Sequence, residues 1–175
     1  MTGSAMWQFT GAHRPDFARD PGPGEESVWD YPRPPQQAPD ERTVEVFYAD
    51  KLLAKSSRSV RILETASPPT FYLPAEDVDL SQLTVMPGRS LCEWKGAAEY
   101  VGVVSPQSEH PIGWRYPRPS EAFAGLAGWV SFYPGRADCR VNGERVAPQP
   151  GGFYGGWMTA EICGPVKGLP GTGHW

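Results

Sequence analysis

From Thr43 the chain alternates. Val44, Val46 and Tyr48 occupy one side of a two-residue period, with Glu45 and Phe47 between them, the pattern of a half-buried strand. Ala49-Asp50-Lys51 turns the chain back into Leu52 to Lys55, so these two runs predict a hairpin. Arg58 to Thr65 repeats the period, with Val60, Ile62 and Glu64 on one face. Thr70 to Leu73 is a fourth short strand, led in by Ser67-Pro68-Pro69 and stopped by Pro74. Arg89 to Cys92 and Ala97 to Val104 form a further pair around the turn Glu93-Trp94-Lys95-Gly96. Cys139 to Val146 is centred on Asn142-Gly143, a strong hairpin signal. One helix is predicted, capped by Ser120, with the stripe Phe123, Leu126, Ala127 and Val130. Many short strands beside one modest helix predict a mainly β domain over residues 43–147.

The two ends read differently. Residues 1–42 contain Pro21-Gly22-Pro23-Gly24 and then Pro32, Pro34, Pro35 and Pro39. Such a stretch supports neither a helix nor a central strand and predicts an extended, polyproline-like arm. Trp7, Phe9, Phe17, Trp29 and Tyr31 make it too aromatic for a solvating tail, so Val28 to Pro35 is expected to dock on the domain. Residues 148–175 form a tail whose Gly151-Gly152-Phe153-Tyr154-Gly155-Gly156-Trp157 segment has no regular period; its rings are expected to anchor a loop. Lys167 to Gly173 has the wrong residue order for a phosphate loop. Trp29-Asp30-Tyr31-Pro32-Arg33-Pro34 returns as Trp114-Arg115-Tyr116-Pro117-Arg118-Pro119. This echo suggests two Trp-x-Tyr-Pro elements in similar grooves.

Composition narrows the class. The 20 glycines and 20 prolines among 175 residues exclude a helical bundle. The 16 Lys and Arg are scattered and are outnumbered by 20 Asp and Glu, so no nucleic-acid partner is expected. No apolar run approaches the ~18 residues of a membrane span, and Met1 to Thr10 lacks the layout of a secretory signal. Cys92, Cys139 and Cys163 form no Cys-x-x-Cys pair, and His13, His110 and His174 lack zincin spacing. No disulfide framework, metal or organic cofactor is therefore expected, and the chain reads as a reduced, cytoplasmic protein.

The candidate chemistry lies where polar residues fall on apolar faces. Glu64 shares its strand face with Val60 and Ile62, and a carboxylate there must be paired or have its pKa raised. Tyr72 lies across the Pro-Pro turn, with Glu76 and Asp77 following. Trp94, Lys95 and Tyr100 come from the next strand pair, and Trp114 and Tyr116 from the segment before the helix. Converging, these would make a pocket with Glu64, Lys95 and Tyr72 as catalytic candidates. Tyr100, Trp114, Tyr116, Glu76, Asp77 and Trp94 are the ligand-binding candidates. The same residues also fit a structural reading, with Glu64 paired to Lys95 or Arg61 and the rings serving as core. Cys92 has no histidine placed by sequence to activate it as a nucleophile.

Several of these stretches resemble the family known as DUF427. They are Leu63-Glu64-Thr65 with Pro68-Pro69, Tyr72-Leu73-Pro74 with Glu76-Asp77-Val78, and Cys92-Glu93-Trp94-Lys95-Gly96-Ala97 with Tyr100. Trp114, Tyr116-Pro117 and Val130-Ser131-Phe132-Tyr133 complete the set, and the arm and tail resemble an actinobacterial-type branch. The resemblance implies a β-tent-like fold, two small antiparallel sheets packed at a steep angle with one or two short helices and a groove between them. Zinc, which some β-tent relatives bind through cysteine pairs, is not implied for a chain without such pairs. A nucleotidyltransferase-type label attaches to the family, but Asp77-Val78-Asp79 here lacks an accompanying Gly-Ser element. The expected function is a small-molecule pocket, with cofactor-independent acid–base catalysis as the enzymatic form. A non-catalytic module for a ligand or peptide is the alternative, and a homodimer is its natural assembly if the arm fills a neighbour's groove.

Overall fold

The computed structural model describes residues 7–175; the first six residues of the expected arm lie outside the described residues. The strands are, in chain order, β1 (Glu26–Ser27), β2 (Gln36–Asp40), β3 (Val44–Tyr48), β4 (Lys51–Ser56), β5 (Ser59–Leu63) and β6 (Thr70–Tyr72). Then come β7 (Leu83–Cys92), β8 (Gly96–Val103), β9 (Gly113–Arg115), β10 (Val130–Phe132), β11 (Asp138–Val141) and β12 (Glu144–Arg145). The tail adds β13 (Ala147–Pro148), β14 (Trp157–Met158) and β15 (Ile162–Cys163). The architecture is mainly β, built from several small antiparallel sheets and short 3-10 turns.

Three sheets carry the molecule, in the orders β10-β9-β8-β7, β12-β11-β3-β4 and β2-β5-β6. The β3–β4 hairpin closes through Ala49 and Asp50, and β11–β12 through Asn142 and Gly143. In both turns the central residues have positive φ, which matches the right-handed twist of the strands they join. The alternation read in β3 buries Val44 and Val46 against Leu53, Phe71, Leu73, Val101, Phe132, Cys139 and Trp157 in the main core. Trp157 stacks on Phe71 at 4.7 Å between centroids, and its indole N–H donates to the Phe132 carbonyl at 2.9 Å.

Four local expectations change. The helix after Ser120 is a kinked 3-10 turn over Glu121–Leu126, and Val130 belongs to β10. Gly125 and Gly128 interrupt the stripe, and a main-chain pair with Leu73 claims Val130, at 2.8 and 3.0 Å. The Ser120 hydroxyl donates to the Trp94 carbonyl at 2.6 Å instead of capping. Gln36–Asp40, placed by composition in the arm, pairs with β5. Its Pro39 is tolerated because β2 is an edge strand. The glycine-rich tail contributes strands, though β13, β14 and β15 are only two residues each, too short for a period to be read. Finally, the echoed elements differ: Trp29 lies in a 3-10 turn and Trp114 in β9.

The arm is fastened at several points. Val28, Trp29 and Tyr31 are buried with Ala66 and Ile162, and Trp29 meets Phe9, Phe17 and Trp175 edge-on or tilted. Arg61 of β5 pairs with Glu26 and lies 3.4 Å from Asp40, while Arg42 bridges Asp40 at 2.7 Å and Glu161 at 2.9 Å. This network ties arm, edge sheet and tail together. No helix of the described residues is long and apolar enough to cross a membrane.

Candidate functional site

Between β6, the β7–β8 pair, β9 and the tail lies a cavity of about 270 Å³. It is lined by Glu64, Tyr72, Cys92, Lys95, Tyr100, Trp114, Tyr116 and Tyr133, with Gln149 and Phe153 to Gly156 from the tail. The antiparallel register places these rings together. Tyr100 stands opposite Trp114 across β8–β9, and Tyr72 sits in β6 next to the Leu73–Val130 bridge that joins the two sheets. The Trp114 indole N–H donates to the Tyr72 hydroxyl at 2.9 Å. Tyr72 and Tyr116 approach at 6.3 Å between centroids, and Trp114 and Tyr133 at 4.6 Å. Burial pushes the Tyr72, Tyr116 and Tyr133 phenols above the ordinary tyrosine value, Tyr133 to about 12. All three are neutral hydrogen-bonding groups at physiological pH.

Lys95 is only 7% exposed. It enters from the β7–β8 turn, with its ammonium 5.7 Å from the Tyr116 ring and 5.8 Å from the Phe123 ring. Burial pulls its pKa down, but the surrounding Tyr72, Cys92 and Glu64 reverse this and raise it above the usual lysine value. The group is therefore a cation. None of the ion pairs among the described residues includes Lys95, so its charge is turned into the cavity without a carboxylate partner.

Glu64 lines the same cavity but is engaged elsewhere. Its Oε1 accepts from Arg33 Nε and from Trp94 Nε1, both at 3.2 Å, while the hydrogen bonds of the described residues leave Oε2 unused. The Arg33 side chain is 2% exposed and also donates to the main-chain oxygens of Phe9 at 2.8 Å and of Thr65 and Trp175 at 3.0 Å. Its guanidinium stacks on Trp7 at 4.0 Å. The structural pairs expected from sequence, Glu64 with Lys95 or Arg61, are replaced by Glu64 with Arg33. An arm residue thus fixes the cavity's carboxylate.

The structure brings Glu64, Tyr72, Lys95, Tyr100, Trp114 and Tyr116 to one cavity, with Trp94 supporting Glu64 from outside it. Glu76 and Asp77 do not belong to it. Their 3-10 turn directs Glu76 into solvent, and Asp77 accepts from Ser56 at 2.6 Å and pairs with Arg58 at 2.9 Å. Sequence reading did not place Arg33, Tyr133, Gln149 or the Phe153–Gly156 segment at the site. The Gly-aromatic run was the available signal, because Gly155 packs against the Trp114 ring, where a Cβ would come within 2.3 Å of it. Among the described residues no cluster of three or more His, Cys, Asp or Glu side chains has metal-binding geometry, and Cys92, Cys139 and Cys163 are free thiols.

These residues are those of a small β-rich domain with a ring-lined cavity whose lining includes a buried lysine, Lys95. The chain belongs to the family described as Domain of unknown function (DUF427), whose model matches residues 36–143. The match starts at β2, so the edge strand assigned by composition to the arm lies inside the family region, whereas Arg33 and the Phe153 segment lie outside it. No curated protein matches the chain.

Proposed function

We propose that the cavity binds a small molecule through an anionic or carbonyl oxygen delivered to Lys95. The observation carrying this reading is the buried ammonium without a carboxylate partner. Tyr72, Cys92 and Glu64 offset the cost of burying this charge, but none forms an ion pair with it, and a ligand oxygen would supply that direct partner. The Tyr72 and Tyr116 hydroxyls are donors to the same oxygen, and Trp114 and Tyr133 form the apolar wall that keeps water out. Glu64 serves as the acid–base group through Oε2, its position held by Arg33 and Trp94. Catalysis without a cofactor is the enzymatic form of this reading, in a reducing compartment consistent with three free thiols.

A peptide-binding reading has less support, because Trp29 and Tyr31 pack in their own cluster rather than in the ring-lined cavity. Nucleotidyl transfer also has less support, because Asp77 is committed to Arg58 and Asp79 lies outside the cavity. The test is titration of tryptophan fluorescence with benzoate and with inorganic phosphate, in the wild type and in Lys95→Met. Saturable binding of either anion that weakens at least tenfold in Lys95→Met supports the reading. Equal affinity in both proteins, or no binding of either anion, refutes it.

A further inference from the structure

The two most exposed large apolar side chains among the described residues are Leu91, at 81%, and Phe153, at 76%. They lie far apart in sequence, one on β7 and one in the tail, yet both line the cavity that holds Lys95. The remaining strongly exposed apolar residues, such as Leu169, Val104 and Val85, do not line it. Exposure therefore grades the site. Lys95, Tyr72 and Trp114 are nearly fully buried, Tyr133 is half-buried, and the two bare apolar side chains stand exposed at the rim. The volume of about 270 Å³ sits at the lower edge of the roughly 300–1,000 Å³ of small-molecule sites. It accommodates one ring bearing an acidic group and little more.

We infer that the ligand is an amphipathic anion, a planar or ring-bearing acid whose acidic oxygen meets Lys95 and whose apolar extension leaves the cavity between Leu91 and Phe153. This rests on the reading of Lys95 given above and adds the part of the ligand that lies outside the cavity. The rim is not explained by folding, since neither side chain is covered by the rest of the protein. It is explained by a ligand longer than the cavity, because apolar surface at a pocket mouth adds affinity only to a molecule that reaches it. The Phe153–Tyr154 pair, edge-on at 4.9 Å, follows Gly151 and Gly152, both at positive φ. The tail thus presents its apolar face at the opening by an unusual backbone course, whereas burying Phe153 would have been the ordinary solution.

Calorimetric titration with benzoate, 4-hexylbenzoate and 4-hexylbenzyl alcohol tests the inference. Each methylene that reaches the rim is expected to tighten binding by up to about fourfold, so 4-hexylbenzoate should bind at least tenfold more tightly than benzoate. The double variant Leu91→Ser/Phe153→Ser should remove that advantage, bringing 4-hexylbenzoate to within about threefold of benzoate; both side chains are exposed, and Phe153→Ala alone gives an independent second variant. The alcohol should bind at least tenfold more weakly than the acid. If benzoate and 4-hexylbenzoate bind equally well, or the double variant keeps the difference, the inference fails while the Lys95 reading survives. If the alcohol binds as well as the acid, the Lys95 reading itself fails. If the double variant instead converts a sedimenting dimer to a monomer without changing the affinity ratio, the rim is covered by a second copy and the inference is overturned.

Discussion

Replacing Arg33 with methionine removes a guanidinium that is 2% exposed and makes four hydrogen bonds: to Glu64 Oε1 and to the main-chain oxygens of Phe9, Thr65 and Trp175. Methionine keeps the bulk of the stem, so the loss is mainly polar. Breaking a fully buried ion pair costs about 3–5 kcal/mol. Glu64 is one quarter exposed on its side chain, and water recovers part of that loss. The three carbonyls add roughly 0.5–1 kcal/mol each where water cannot replace the donor. A net destabilisation of about 3 kcal/mol follows, or roughly 6–12 °C in Tm for a domain of this size. Arg33→Lys restores the charge but cannot reproduce a four-bond fork, so it should recover about half. Urea denaturation followed by tryptophan fluorescence measures both. Arg33→Met within 0.5 kcal/mol of wild type, or Arg33→Lys indistinguishable from wild type, would refute the claim that the arm holds the cavity's carboxylate.

Tyr72→Phe should cost about 1–3 kcal/mol, because it strands the Trp114 indole N–H beside a residue that is 1% exposed; chemical denaturation checks this. Gly155→Ala puts a Cβ into the Trp114 ring and should destabilise by about 1–3 kcal/mol while increasing protease cleavage in the tail, which mass spectrometry of limited digests would reveal. Burial pushes the Asp40 carboxyl up, but Arg42 and Arg61 more than reverse this and hold it below the ordinary value, and Arg58 with Ser56 does the same to Asp77. Carboxylates with depressed folded pKa values contribute stability above their unfolded value near ~4 and lose it as the pH falls below that. Stability should therefore be flat near neutrality and fall in acid, and Asp40→Asn should flatten that acid limb; an unchanged limb measured by denaturation across pH 2.5–7 would contradict the network's role.

The strands with a two-residue period, β3 and β5, the pairing of β8 with the end of β7 around its turn, and the turns at Ala49-Asp50 and Asn142-Gly143 were legible in the sequence, because local alternation and turn chemistry dictate them. The gathering of Glu64, Tyr72, Lys95, Tyr100, Trp114 and Tyr116 was not dictated by local pattern; it was a hypothesis beside a structural reading, suggested by the family motifs that carry these residues, and all six line one cavity. The partner of Glu64 was not legible. Arg33 sits 31 residues away in a proline-rich stretch whose local signals describe only an extended chain. Glu76 and Asp77 adjoin Tyr72 in sequence, but they lie in the 3-10 turn after Pro74 and do not line the cavity; Arg58 takes Asp77 instead. The helix after Ser120 failed for a similar reason. Its stripe had the right spacing, but the main-chain bonds between Val130 and Leu73 are long-range and outweigh local propensity.

The most direct test of the account is a crystal structure of the protein soaked with 4-hexylbenzoate, because it locates the anion without reference to affinity. The account predicts the carboxylate within about 3 Å of Lys95 Nζ, the ring against Trp114, and the alkyl chain passing Leu91. A carboxylate bound outside the cavity, at Arg33 or Lys167 for example, or a cavity empty at saturating ligand, would contradict it.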